Sequence, residues 1–172
     1  MKRMNKKKWI ILGVVLFLLL MLGLYCYYSY VMQDQWNEEE AAILAAKQYT
    51  SLTQVIDTSK SVWDEIYWVV HGKDAEQQEM LVWVTFGLDG LPKEGESAVH
   101  SEYLANGTSK QQVKQLISRQ LPNIEEVRLL PSVYNGEYVW QLFYKQDQHY
   151  YYRFFRFSDG EQIGSGYTLP NR

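Results

Sequence analysis

The pattern of apolar and polar positions divides the chain near residue 33. From Trp9 to Met32 there is no charged side chain, and Ile10 to Leu24 is almost wholly aliphatic. An α-helix rises 1.5 Å per residue, so about 20 residues cross a hydrocarbon layer roughly 30 Å thick. The run therefore predicts a membrane span over 9–32, with 1–8 as a cytoplasmic tail. Trp9 at one end and Tyr25, Tyr27, Tyr28 and Tyr30 at the other stand where amphipathic rings favour the membrane interface. Beyond the span, Asn37 can cap a helix whose first turn carries Glu38, Glu39 and Glu40, the sign of charge that a helix N-terminus favours. Ala41 to Gln48 are mostly good helix formers, which predicts a helix to about Leu52.

After that helix the period changes from helical to strand-like. Gln54 to Thr58 reads as a short strand, Thr58 to Ser61 as a turn, and Val62 to Gly72 as the opening of a hairpin that continues from Met80 to Gly90. The hairpin recurs: Glu65, Trp68 and Lys73 return as Glu137, Trp140 and Lys145 at a constant offset of 72 residues. Its second strand, closing on Asp89-Gly90, returns as Tyr150 to Asp159-Gly160 at an offset of 70, so the loop between the strands lost two residues. A helical stripe also repeats. Val113, Leu116, Ile117 and Leu121 occupy the places of Ala41, Leu44, Ala45 and Tyr49, and Pro122 ends the second run.

Glu125 to Tyr134 predicts the first strand of the second copy, with Pro131 arguing for an edge position or a bulge. Asn135-Gly136 marks a two-residue turn in which both positions need positive φ. The expected fold is α+β: an N-terminal transmembrane helix followed by two tandem units, each one helix packed on a three-stranded antiparallel sheet. The units are expected at 37–90 and 106–172, joined by a linker over 91–105. Loops this short force antiparallel pairing, and units this small are expected to pack on one another.

Charge sharpens the topology. The five basic residues Lys2, Arg3, Lys6, Lys7 and Lys8 precede the span, and acidic residues follow it, which places the N-terminus in the cytoplasm and the rest of the chain outside. Of 17 Lys+Arg only 12 remain after those five, against 20 Asp+Glu, a net of −8. Nucleic acid is excluded as a partner, since binding it rests on basic side chains. The exit Tyr25 to Val31 has no Ala-x-Ala pattern, so the span is expected to stay uncleaved. Cys26, the one cysteine, follows Tyr25 where a lipobox wants a small residue, and it can form no intrachain disulfide.

The basic start Lys2 to Lys8, the anchor, Val62-Trp63-Asp64-Glu65, Tyr138-Val139-Trp140 and Phe157-Ser158-Asp159-Gly160 carry a resemblance. In outline the chain resembles the PepSY and cystatin-like repeat proteins. More closely it resembles the TseB/YpmB family of cell-wall elongation regulators of Gram-positive bacteria. PepSY repeats often end with Asp, a gap and Gly, whereas here Asp and Gly are adjacent twice. The resemblance implies a membrane-tethered, non-enzymatic protein that acts on peptidoglycan synthesis through contact with a penicillin-binding transpeptidase.

Candidate chemistry is sparse. His71, His100 and His149 are scattered, and no Cys, Asp or Glu stands at ligand spacing beside them, so no metal or cofactor is expected. Glu125-Glu126 and Glu94-x-Glu96 lie in polar surface stretches and read as solvated rather than catalytic. The unusual composition is Tyr150-Tyr151-Tyr152-Arg153-Phe154-Phe155-Arg156-Phe157, a strand with neither face polar. Either both faces are covered or a Tyr- and Arg-rich surface is left for a partner. The candidate partner-binding residues are Tyr150, Tyr152, Arg153, Arg156, Trp68 and Trp140, with glycan contact possible through stacking. An extracytoplasmic peptidase inhibitor or prodomain-like module is the alternative function, and a wall hydrolase a third.

Overall fold

The computed structural model describes residues 6–170, so Lys2 and Arg3 lie outside the described residues. Contacts divide the chain after Asn37 into two compact units. The first consists of helix, part of α1 (Lys6–Tyr49). Trp9, Tyr25, Tyr27 and Tyr28 are all exposed on it, and Tyr28 meets Trp36 edge-on at 6.1 Å. Its most apolar window has a mean hydropathy of 2.7, so by length and composition the helix can cross a membrane, a test that a signal sequence also passes.

The second unit, from Glu38, contains two four-stranded antiparallel sheets, which corrects the expected three strands per sheet. The first has the order β1 (Gln54–Val62), β2 (Ile66–Lys73), β3 (Glu79–Phe86), β4 (Val99–Tyr103). The second has the order β5 (Glu125–Tyr134), β6 (Glu137–Gln146), β7 (His149–Arg156), β8 (Gln162–Thr168). Between the sheets lies α2 (Lys110–Gln120), opened by a capping box of Ser109 and Gln112. The two meanders share a detail. One extra residue interrupts the register of β1 at Ile56 and of β5 at Val127, at matching places in the repeat.

Four local readings change, each for a physical reason. The helix stops at Tyr49 rather than near Leu52, because the Thr50 hydroxyl bonds back to the Ala46 carbonyl at 2.7 Å and accepts from Leu52 N. Thr58 to Ser61 is strand and not turn: Thr58 donates to Glu39 at 2.6 Å, Lys60 pairs with Glu38, and Ser61 is buried with partners. The turn falls instead at Trp63–Glu65. Strand β4 lies inside 91–105, the stretch read as linker, and β8 follows Asp159-Gly160, where the last strand was expected to be the end.

Pro131 sits on β5, an edge strand, where its missing N–H breaks no ladder on the outer side. Asn135 and Gly136 have φ of 50° and 77°, the pair of left-handed positions the hairpin turn requires.

Two cores result. The C-terminal turns of α1 lay Ala42, Ala45 and Ala46 on one face of the first sheet, against Trp68, Val70, Met80, Val82 and Val84. Alanine lets a helix backbone approach a sheet closely enough for large side chains opposite to fill the layer. The other face of the same sheet gives Val69, Leu81 and Trp83 to a larger cluster with Val113 and Ile117 of α2 and with Trp140, Leu142, Phe155 and Phe157. The sheets therefore share one interior.

Candidate interaction surface

Strand alternation sorts the residues of β6 and β7 onto two faces. Tyr138, Trp140, Leu142 and Tyr144 face α2 together with Phe155 and Phe157. Val139 and Phe154 belong to a third cluster on the opposite face, with Tyr134, Tyr152, Ile163 and a residue from the first sheet's β1–β2 turn, Trp63. The Trp63 ring stands 4.9 Å from Phe154, 5.0 Å from Tyr152 and 5.2 Å from Tyr167. Part of the aromatic face is thus covered from within the chain, and the tips of two hairpins meet there, with Asn135 N donating to Asp64 Oδ2 at 2.6 Å.

Beyond Trp63 the aromatic row continues uncovered. Phe143 stacks on Tyr152 at 4.8 Å and on Tyr150 at 5.3 Å, and the Lys145 ammonium lies 5.9 Å from the Tyr150 ring centre. Tyr150 is 39% exposed and Tyr167 45%, while Phe143 and Tyr152 are half-buried. The Tyr167 phenol is bonded to the Tyr134 hydroxyl at 3.0 Å, and that bond, with burial adding to it, pushes its pKa up. The strip combines apolar ring edges, three hydroxyls and one ammonium. Tyrosines of this kind are enriched where proteins bind one another.

The remaining candidate residues are placed elsewhere. Arg156 is held by Glu137 at 2.6 Å, Asp159 at 2.9 Å and Glu161 at 3.4 Å, and the bonds to Glu137 first and then Asp159 raise its pKa further. Three carboxylates already satisfy its guanidinium. Arg153 points to the other side of the strand, donating to Tyr144 Oη at 3.1 Å and Gln162 Oε1 at 3.0 Å. Trp68 and Trp140 are interior at 2% and 3% exposure, their indole N–H groups donating to Glu38 and to the Thr108 carbonyl. Neither leaves surface for a partner. Of the six, the structure brings only Tyr150 and Tyr152 together on the open strip. Trp63 and Tyr167 join them unforeseen: Trp63 sits in a turn, where periodicity says nothing, and Tyr167 lies on the strand that was not anticipated.

The histidines are each engaged. His100 stacks on Tyr138 at 3.9 Å and pairs with Glu102 at 3.0 Å, His71 approaches Glu79 at 3.4 Å, and His149 meets the Asp147 carbonyl at 2.9 Å. Among the described residues no three His, Cys, Asp or Glu side chains are grouped as metal ligands.

Residues 41–85 match the family described as Cell wall elongation regulator TseB-like domain. That stretch runs from the last turns of α1 through β3. Among solved structures, the YpmB protein from Bacillus subtilis superposes with a TM-score of 0.63 at 22% identity, over 76% of this chain and 96% of that one. At this identity the likeness speaks for the fold. No curated protein matches the chain significantly. The chain thus carries a match to the TseB-like domain family over residues 41–85 and shares the fold of the YpmB protein.

Proposed function

We propose that the chain is a membrane-anchored, extracytoplasmic regulator of cell-wall elongation that works by touching a penicillin-binding transpeptidase and not by catalysis. The observation that carries this reading is the TseB-like match over residues 41–85 on a chain that begins with a helix apolar enough to span a bilayer. The basic residues before that helix and the acidic ones after it favour a cytoplasmic N-terminus and an outward-facing second unit. The open strip of Tyr150, Tyr152 and Tyr167 is the surface we assign to the partner.

A photo-crosslinking residue at Tyr150 or Tyr167 in living cells tests the proposal, with a control at the exposed Leu44 on the other side of the first sheet. The strip positions are expected to capture a transpeptidase of the wall-elongation machinery and the control position not to. Equal capture at all three positions, or capture of no wall-synthesis protein, refutes it.

A further inference from the structure

A second feature is independent of the wall-elongation reading. At the seam between the sheets lies a cavity of about 70 Å³, more than two water volumes. Its inner wall is apolar, formed by Val69, Leu81 and Trp140, and its rim carries two opposite charges, Asp57 of β1 and Lys110 at the start of α2. Both charged residues are exposed, and among the described residues neither side chain forms an ion pair or hydrogen bond. The His71 ring completes the wall, its buried Nε2 approaching Glu79 at 3.4 Å without forming a hydrogen bond.

The placement of Asp57 has a structural cause. The extra residue Ile56 shifts the register of β1, so Asp57 stands opposite His71, on the sheet face that meets the second sheet. The second copy carries the same irregularity but has Arg128 in the corresponding place, and Arg128 is exposed. The carboxylate at this place therefore belongs to the first copy alone, and Lys110 comes to it from α2 of the second.

Separated opposite charges at the mouth of a small apolar cavity complement a molecule that is itself zwitterionic and carries a small apolar group. We propose that this cavity binds a free α-amino acid of alanine size, its ammonium on Asp57, its carboxylate on Lys110 and its methyl group against Val69, Leu81 and Trp140. A carboxylate or an amine alone satisfies one rim charge and leaves the other without a partner, so both halves of the ligand are needed.

Equilibrium dialysis of radiolabelled alanine against the full chain in detergent micelles tests this, both enantiomers being used. Saturable binding at one alanine per chain is expected, with propionate and ethylamine competing at least tenfold more weakly. Glycine, lacking one methyl, is expected to bind about fourfold more weakly, the equivalent of about 0.8 kcal/mol. Asp57→Asn and Lys110→Gln change exposed side chains and leave the core intact. Each is expected to weaken alanine about tenfold, and Asp57→Asn to leave propionate unaffected. Absence of saturable binding by either enantiomer overturns the proposal, as does binding that both variants leave unchanged or propionate competing as well as alanine.

Discussion

The indole of Trp63 packs edge-on against Phe154, 4.9 Å between ring centres, across 91 residues of chain. Through this contact the β1–β2 turn of the first sheet closes the outer face of the second. Tyr134, stacked on Phe154 at 4.2 Å, extends the contact.

Removing Trp63 should therefore loosen both sheets at once. Trp63→Ala is expected to destabilise the second unit by about 3 kcal/mol, the lower end for aromatic truncation because the ring is only half-buried. Urea unfolding of the full chain measures this. A shift within experimental error would mean that the turn merely rests on the second sheet.

The seam also contains a buried polar contact. Ser61 and Ser132 share a hydrogen bond of 2.5 Å between hydroxyls, and Ser61 lies 3.3 Å from Gln141 Oε1. Taking away one hydroxyl strands the other in a dry place, so Ser132→Ala should cost about 1–2 kcal/mol. Ser61→Ala with Ser132→Ala should cost less than the two single changes added. A double-mutant cycle on the unfolding free energy reads the difference, and strict additivity would show that the hydroxyls act separately.

Acid should weaken the junction of α1 with the first sheet. Burial by itself raises the Glu38 pKa, but bonds from Lys60 and from the Trp68 indole outweigh it and hold the group below its ordinary 4.5. A carboxylate depressed in the folded state adds stability above its unfolded pKa and loses it as pH falls through the lower folded value. Stability is thus expected to decline with acid below the ordinary glutamate range, and Glu38→Gln to flatten that part of the pH profile. An acid limb unchanged in the variant would remove Glu38 from the account.

Two glycines separate crowding from conformation. A Cβ on Gly72 would run into the Gln54 backbone carbonyl and the Leu52 side chain, and backbone gives way at high cost. Gly136 has open space around it but a φ of 77°. Gly72→Ala should cost about 3 kcal/mol by overpacking and Gly136→Ala about 1 kcal/mol by backbone strain. Thermal melts of the two variants give the order, and its reversal would contradict the packing at β1.

The repeat could be read directly because Glu65, Trp68 and Lys73 return with their spacing intact, and spacing is what strand pairing preserves. Strand β4 escaped detection: its five residues include His100, Ser101 and Glu102, whose strand conformation comes from pairing with β3 and not from propensity. Strand β8 was hidden by Gly164 and Gly166, both at positive φ. Thr58 to Ser61 looked like a turn until tertiary partners claimed its hydroxyls and Lys60.

Exposure along β7 was legible only in part. Aromatics on both faces of β7 indicated that one face needed an explanation, and Tyr150 and Tyr152 are on the open one. Alternation does not say which face is buried, however. Trp68 and Trp140 have the period of surface residues as well as of core ones, and only the sheets packed over them decide.

Val69, Leu81 and Trp83 have their packing partners in the other sheet. A truncation after the first meander would leave those three side chains wet, and a fragment starting at α2 would lack the lid over Tyr138 and Phe157. Duplicated in sequence, the halves have become mutually obligate, so partial translation products should be protease-sensitive and sticky and the whole should melt in one cooperative step.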